Sequence, residues 1–498
     1  MLVHKFLMKA GSNVIASALS FISLMVMTRC VGEEYGVMMW GWAFTAIFNA
    51  FSDLGFNTSN MKYLSKRDAD HDAYFSTFLF IKIVLSLAVT VMSSISVALT
   101  AMNGSMDSES VAVCTIFIVY YLIYNIQTAL TVSFDGRLEA GKSSMALALE
   151  YGVRSTLLII LALMHSNACT LSMAYLVGIV LSMISCLYMM RNTGIRIVKP
   201  VFIKKYAIFA APLAISIMAI AVIEYLDKVM IGLCQGSQEV GFYTAAFGVV
   251  AAFTTLGTSL NNVLLPHISK SGEHDHENIQ NTLWMSEKYV SMLILPVLVF
   301  ILVLGEPIAT VLFGSGYAKS GDILSIQTIH IYMFILTGLM AQVLYSVNRA
   351  STYFRSSLIF VAIALVGYIV LIPEDVMGIK MIGLGSIGAT IALSTAYLLF
   401  GIILIVFVKK EAGYTLYPQL WKQFVSGAVS GIFLVAVCQT WNPQGLIQLA
   451  LSGLACEAVF LALLWMIKGI SRDDVMFIKT AFSPRELHNS ISEEWEQK

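Results

Sequence analysis

Two stretches of the chain repeat one another. VGEEYGVMMWGWAFTAIFNAFSDLGFNTSN occupies residues 31–60, and GSQEVGFYTAAFGVVAAFTTLGTSLNN occupies residues 236–262. Glu34 and Gly36 of the first stretch are matched at the same offset by Glu239 and Gly241 of the second. Each stretch has an acidic start and then a long apolar run of small and aromatic residues. The repetition indicates that the chain contains two related units.

The composition places the chain in a membrane. Of its 498 residues, 58% are hydrophobic and only 12% are charged, whereas soluble domains carry about 25% charged residues. The formal net charge is zero, which gives no reason to expect nucleic acid as a partner. The seven cysteines lie within or at the ends of apolar runs, without the spacing of a metal site.

Fourteen apolar runs are long enough to cross a bilayer, which takes about 20 residues. The first run continues past the length of a signal peptide, so we interpret it as an uncleaved first span. The predicted spans are 9–30, 36–58, 76–100, 111–133, 144–165, 169–190, 207–233, 240–265, 287–305, 324–346, 353–373, 382–408, 423–440 and 446–467.

The basic residues alternate between the two sides of these spans. If the N-terminus is cytoplasmic, the outer connections hold only Arg29, Lys319 and Lys380 of the thirty Lys and Arg residues. Three more lie within spans, and all the others fall on the inner side. Inner connections of membrane proteins carry this excess of positive charge. We therefore expect a multi-pass protein of the cytoplasmic membrane with both termini in the cytoplasm.

The two repeated stretches cover spans 2 and 8, so six spans separate them and both run in the same direction. Parallel repeats of this kind relate two lobes about an axis along the membrane normal. We expect an all-α polytopic membrane protein with two pseudo-twofold six-helix lobes. The predicted divisions are an N-terminal lobe at 1–200, a C-terminal lobe at 201–410, two additional helices at 411–468 and a cytoplasmic tail at 469–498.

Several motifs carry a family resemblance. GEEYG at 32–36, DLGF at 53–56 and YLSK at 63–66 resemble the opening signature of polysaccharide flippases. YAIFAAPLAISIMAIAVIEYLDKVMIG at 206–232 and QEVGFYTAAF at 238–247 are similar to the start of their second lobe. These proteins belong to the multidrug/oligosaccharidyl-lipid/polysaccharide (MOP) exporter superfamily, which includes the MATE transporters, and the likeness is greatest to the O-antigen type.

The resemblance implies a flippase rather than an enzyme. Such a protein moves a polyprenyl-(pyro)phosphate-linked oligosaccharide from the cytoplasmic to the outer leaflet by alternating access, without a cofactor. Lipid-linked oligosaccharide and membrane lipid are then the expected partners, and a polysaccharide polymerase or other assembly protein is a further one. The chain has no GxxxxGK[ST] nucleotide-binding loop, so ATP hydrolysis is not expected.

Ionisable residues inside spans are costly and mark candidate sites. Arg154 lies near the middle of span 5 and carries a guanidinium suited to phosphate. Glu150, four residues earlier, makes an intrahelical pair the structural alternative. Lys82 and Asp53 lie at similar depth in spans 3 and 2, where they form either a lock on the cytoplasmic gate or simple helix–helix contact.

The segment IEYLDKVM places Glu224, Asp227 and Lys228 near the outer end of span 7. These are candidates for gating or ion coupling, and snorkelling of Lys228 to the outer interface is the alternative. Arg29 ends span 1, where it either contacts substrate or anchors the interface.

The aromatic cluster VYYLIYN in span 4 makes Tyr124 and Asn125 candidates for sugar contact. The predicted head-group cavity thus contains Arg154, Lys82, Arg29, Tyr124 and Asn125. The predicted gating or coupling set contains Asp53, Glu150, Glu224, Asp227 and Lys228. No metal site is predicted.

Two other functions compete with the flippase. A cation-coupled multidrug antiporter on the same scaffold is the first, although span 1 contains no acidic residue of the kind we associate with such antiporters. A polysaccharide polymerase or ligase is the second, and it is disfavoured because the outer connections are short and nearly free of basic residues.

Overall fold

The computed structural model describes residues 2–64, 70–137, 139–191, 196–270, 276–347, 349–471 and 474. Within this part of the chain, fourteen helices contain at least 18 residues, which confirms the all-α prediction. They are α1 (Leu2–Cys30), α2 (Gly32–Asn49), α4 (His71–Met102), α5 (Ser108–Gly136), α6 (Ala140–Leu163), α7 (Ala168–Arg191), α8 (Ile203–Gln235), α9 (Ser237–Lys270), α10 (His276–Phe313), α11 (Lys319–Ser346), α12 (Ala350–Leu371), α13 (Gly385–Phe407), α14 (Leu420–Trp441) and α15 (Leu446–Met466).

Short elements complete the described chain. Helix α3 (Phe56–Leu64) follows α2, and the strands β1 (Asp375–Val376) and β2 (Ile379–Lys380) form an antiparallel hairpin between α12 and α13. Ten of the long helices are apolar and long enough to cross a bilayer, and Val14–Cys30 is a shorter apolar segment. The protein is a multi-pass membrane protein.

The helices pack as two groups. Helices α1–α7 pack on one another, most extensively in the pairs α1–α6, α6–α7, α5–α7 and α4–α5. Helices α9–α13 do the same in the pairs α10–α11, α9–α11, α12–α13 and α11–α13, and α14 and α15 pack on α10. We call these the first and second helix groups. Helix α8 contacts α2, α3 and α4 of the first group as well as α9, α12 and α13 of the second.

We name the two ends of the helix bundle after Gly36 and Lys62, which lie at opposite ends. The Gly36 end carries the connections at 31, 103–107, 164–167, 236, 314–318 and 372–384, and the Lys62 end carries those at 137–139, 196–202, 349 and 408–419. Proline bends one of the long helices: α10 has non-helical dihedrals at Leu304, three residues before Pro307. A proline inside a helix removes one hydrogen bond and clashes with the preceding turn.

The prediction of a continuous span over 36–58 is wrong. Helix α2 ends at Asn49, a 3₁₀ turn covers Ala50–Ser52, and α3 begins at Phe56. Leu54 and Gly55 between them have φ angles of 48° and 86°, which no α-helix contains. Asp53 therefore lies in a break rather than in a helix.

Candidate functional site

A cavity of about 1230 Å³ lies between the two helix groups. Its lining reaches from Tyr35 and Thr244 to Asp135 and Ser143 near the Lys62 end. Parts of α1 and α9 line it with exposed side chains, among them Ser17 and Ala251. The cavity is therefore open along these parts of α1 and α9.

The Gly36 end of the cavity is closed by contacts between the groups. A Cβ on Gly36 would collide with the carbonyl of Ser237, and one on Gly232 would collide with the Trp40 ring. The hydroxyl of Tyr317 donates to the carbonyl of Gly32 at 2.7 Å. Only glycine allows backbones to approach this closely, so the repeated Gly residues of the two stretches serve the closure.

Arg154 lies on the cavity wall formed by α6. Its guanidinium is 3.6 Å from the carboxylate of Glu150 and lies over the rings of Tyr151 and Tyr175, 4.1 and 4.6 Å from their centroids. Gly178 brings α7 close to α6, because a Cβ there would lie 3.2 Å from that of Arg154. The predicted intrahelical pair is present, and both of its members line the cavity.

The opposite wall carries a second charged pair, on α8. The ammonium of Lys228 lies 3.1 Å from the carboxylate of Asp227, and it also donates to the carbonyl of Glu224 at 2.6 Å. The hydroxyl of Tyr243 donates to the same carboxylate at 2.6 Å. Lys228 is only 7% exposed, so the alternative in which it snorkels to the outer interface is wrong. Glu224 points into the cavity with an exposed side chain.

Four of the predicted residues lie elsewhere. Arg29 donates to the carbonyls of Val311 and Leu312 at the Gly36 end and borders a separate pocket of about 360 Å³. Lys82, Asp53 and Asn125 lie within the first helix group and not in the lining of the central cavity. Asn125 donates to Asn49, which does line the cavity, at 2.9 Å.

Aromatic side chains make up much of the wall. Tyr124 lines the cavity and is stacked 5.7 Å from Tyr120. Sequence reasoning did not single out Tyr151, Tyr175 or Tyr397. Tyr151 precedes Arg154 by three residues, a spacing that places two side chains on one helix face. Tyr175 and Tyr397 reach the cavity from other helices, for which the sequence gives no signal.

The charges of the lining are uneven. Its described residues include two cations, Arg154 and Lys228, and four carboxylates, those of Asp135, Glu150, Glu224 and Asp227. Within the described chain, no group of three His, Cys, Asp or Glu side chains is placed to hold a metal ion. An anion bound at these two cations would compete with the carboxylates beside them.

The fold is that of MOP-superfamily transporters. The chain superposes on a structure described as lipid II flippase MurJ in an inward closed conformation, with a TM-score of 0.73 and 13% identity, over 92% of this chain and 99% of that one. It superposes on an inward-facing multidrug resistance MATE family transporter with a TM-score of 0.61 and 14% identity, over 80% and 96%. An outward-facing transporter of that family gives a TM-score of 0.55 at 14% identity, over 83% and 95%.

The family follows from the sequence. Residues 2–272 match the family described as polysaccharide biosynthesis protein, and the chain belongs to that family. Comparison with curated protein sequences finds no match. Together the family and the fold support a flippase or transporter.

Proposed function

We propose that the protein is a flippase for a polyprenyl-(pyro)phosphate-linked oligosaccharide. Membership of the polysaccharide biosynthesis family supports a glycan substrate, and the MurJ structure is itself described as that of a lipid II flippase. The observation that carries the proposal is the cavity between the helix groups, with one cation on each of two walls and tyrosines between them. No bond is made or broken in this process.

The charge distribution supports the proposed direction of transport. The excess of basic residues at the Lys62 end favours a cytoplasmic position for that end in the cell membrane. The closed Gly36 end then faces outward, and the cavity receives the head group from the cytoplasmic side. Alternating access requires the Gly36 contacts to part, so the predicted lobes 1–200 and 201–410 are proposed to move relative to each other.

Arg154 and Lys228 are proposed to hold the phosphate oxygens. A guanidinium presents paired donors to phosphate, and the rings of Tyr151 and Tyr175 fix its plane. Glu150 and Asp227 compete with the phosphate for these cations. Because a transported group must also leave, such competition keeps binding reversible. Tyr124 and its neighbours offer flat faces for sugar rings.

The test is transport of a fluorescent polyprenyl-pyrophosphate sugar in proteoliposomes by Arg154→Ala, Arg154→Lys and a control, Arg137→Ala. Arg137 pairs with Glu139 at 3.1 Å outside the cavity. Losing a charge-assisted contact of about 1.5–3 kcal/mol predicts a rate lower by about 10- to 100-fold for Arg154→Ala. Arg154→Lys should retain part of the rate, and the control all of it. Normal transport by Arg154→Ala at normal protein level would refute the phosphate role.

A cation-coupled drug antiporter is the second candidate, because the described lining has more carboxylates than cations. The two functions differ in what accumulates when the gene is deleted. A flippase deletion leaves lipid-linked oligosaccharide on the cytoplasmic leaflet. An antiporter deletion raises the cellular level of a cationic dye and leaves the glycan lipid unchanged.

A further inference from the structure

Helices α2 and α3 of the first helix group contact α8 at opposite ends of the protein. At the Gly36 end, the Trp40 indole of α2 packs on Gly232 and lies 3.5 Å from the carbonyl of Val229. At the Lys62 end, Asn60 of α3 accepts a hydrogen bond from the Tyr206 hydroxyl at 2.8 Å. A straight, rigid span would move both contacts together.

The break between α2 and α3 is built from specific hydrogen bonds. The N–H of Phe56 bonds to the carbonyl of Asp53 at 2.8 Å, so it is not available to the carbonyl of Ser52 as it would be in a helix. The carboxylate of Asp53 accepts from the N–H of Asn57 at 2.8 Å and begins α3. The carbonyl of Ser52 therefore needs a donor from outside its own span.

Lys82 of α4 supplies that donor. Its ammonium lies 3.2 Å from the carbonyl of Ser52 and 3.9 Å from the carboxylate of Asp53, and the residue is 1% exposed. A lysine buried in a membrane protein is costly unless it is paired. Here its charge is used to stabilise an interrupted helix.

The repeat itself does not require the break. Asp53 aligns with Thr258 of the second stretch, and α9 runs as one helix from Ser237 to Lys270 through that position. The first helix group therefore has a joint where the second group, in its described residues, has a continuous helix.

We infer that Lys82 is a positioning residue that keeps α2 and α3 separate, so that α2 can part from α8 and α9 at the Gly36 end while α3 stays bonded to Tyr206. This inference rests on the proposed alternating-access function. Without Lys82, the carbonyl of Ser52 is best satisfied by the N–H of Phe56 in a continuous helix. A continuous helix would tie the two contacts together and hold the Gly36 end closed.

This role differs from a lock on the gate. Lys82 and Asp53 both belong to the first helix group, and the bonds of the Lys82 ammonium join α4 to the break within that group. Breaking a lock between the groups would open the protein, whereas removing a joint keeps it closed. The two readings thus predict opposite changes.

The experiment measures distances by electron spin resonance in proteoliposomes. Spin labels at Glu33→Cys and Gln238→Cys, in a background without native cysteines, report on the Gly36 end, since both side chains are exposed on facing helix groups. Without the substitution at Lys82, we expect a short and a long distance. In Lys82→Met, the fraction of molecules at the long distance should fall at least fivefold. Lys82→Arg should retain that fraction. Lys142→Met removes a surface ion pair and should match the unsubstituted chain.

A second variant covers failure to fold. Asp53→Asn/Lys82→Met is neutral and keeps an acceptor for Asn57, so it lacks only the donor to Ser52. This double variant should also lose the long-distance population. If Lys82 and Asp53 were only a structural ion pair, the neutral double variant would show the long-distance population again. A long population in either folded variant equal to that of the unsubstituted chain overturns the inference. Because distances are read without substrate, failure to transport glycan lipid would count against the proposed function alone.

Discussion

The hydroxyl of Tyr206 donates a hydrogen bond of 2.8 Å to the side chain of Asn60, and both residues are fully buried. Tyr206 lies in the first turn of α8, in the segment expected to begin the C-terminal lobe. Its partner Asn60, however, belongs to α3. Asn60 in turn donates to Ser133 of α5 at 3.1 Å. The first turns of α8 are thus bonded into the first helix group.

Tyr206→Phe should lower the free energy of unfolding by about 1–3 kcal/mol, since it leaves the buried oxygen of Asn60 without this donor. Thermal unfolding in detergent measures the change. Tyr188→Phe is the control, because Tyr188 is 70% exposed. This variant should unfold at the same temperature as the unsubstituted chain. Equal melting temperatures for the two variants would show that the bond contributes nothing.

The helices were predictable because their signal is local. Each apolar run of about 20 residues is long enough to span a bilayer wherever it lies in the chain. The break in span 2 was not predicted, although DLGF contains Asp and Gly, which favour turns. The carbonyl of Ser52 at this break is bonded by Lys82, a donor from another helix, and apolar run length does not contain that information.

The candidate site was predictable only where its contacts are close in sequence. Glu150 and Arg154 are four residues apart, so one helix brings them together. Tyr175 reaches Arg154 because Gly178 lets α7 approach α6, which depends on packing. The sequence allowed the Lys228 side chain to point either into the cavity or to the outer interface. It points inward, where its ammonium pairs with Asp227, whose carboxylate also accepts a hydrogen bond from Tyr243 of α9.

Gly36→Ala should open the Gly36 end. A methyl group there would collide with the carbonyl of Ser237, and a backbone carbonyl cannot move away as a flexible side chain does. We expect faster labelling of a cysteine at position 244, where Thr244 is only 5% exposed in the closed structure, by a membrane-impermeant maleimide applied from the Gly36 side. Gly152→Ala is the matched control, because no other atom lies within 4 Å of the place its methyl group would take. Unchanged labelling in Gly36→Ala would contradict the tight closure.

Asp474→Asn should weaken the contact of Asp474 with Lys288 and Tyr289 of α10. Burial raises the pKa of Asp474, but hydrogen bonds from Lys288, Ser471 and Tyr289 outweigh it and lower the pKa to about 2. The carboxylate therefore stabilises the fold above its ordinary pKa of 3.8, and this contribution is lost as the pH falls from about 4 toward 2.

At neutral pH we expect Asp474→Asn to cost on the order of 1 kcal/mol, because solvent screens an anchor near the surface. Melting temperatures measured from pH 7 to pH 2 should approach those of the unsubstituted chain as the pH falls below about 4. The control Asp375→Asn, on the exposed hairpin, should show no such convergence. A difference that grows toward low pH would have the wrong sign for this anchor.

Lys228→Met should destabilise the protein by about 2 kcal/mol or more, because it leaves the buried carboxylate of Asp227 without its cation. Asp227→Asn/Lys228→Met should recover much of that stability, and a double-mutant cycle should give a coupling of about 1–3 kcal/mol. The exposed pair of Lys319 and Glu239, 2.6 Å apart with Lys319 41% exposed, should give less than about 1 kcal/mol in the same cycle. Transport should stay low in the recovered double variant, since the cation on that wall is absent. Equal coupling in the two cycles would show that the cavity pair is as weak as a surface ion pair.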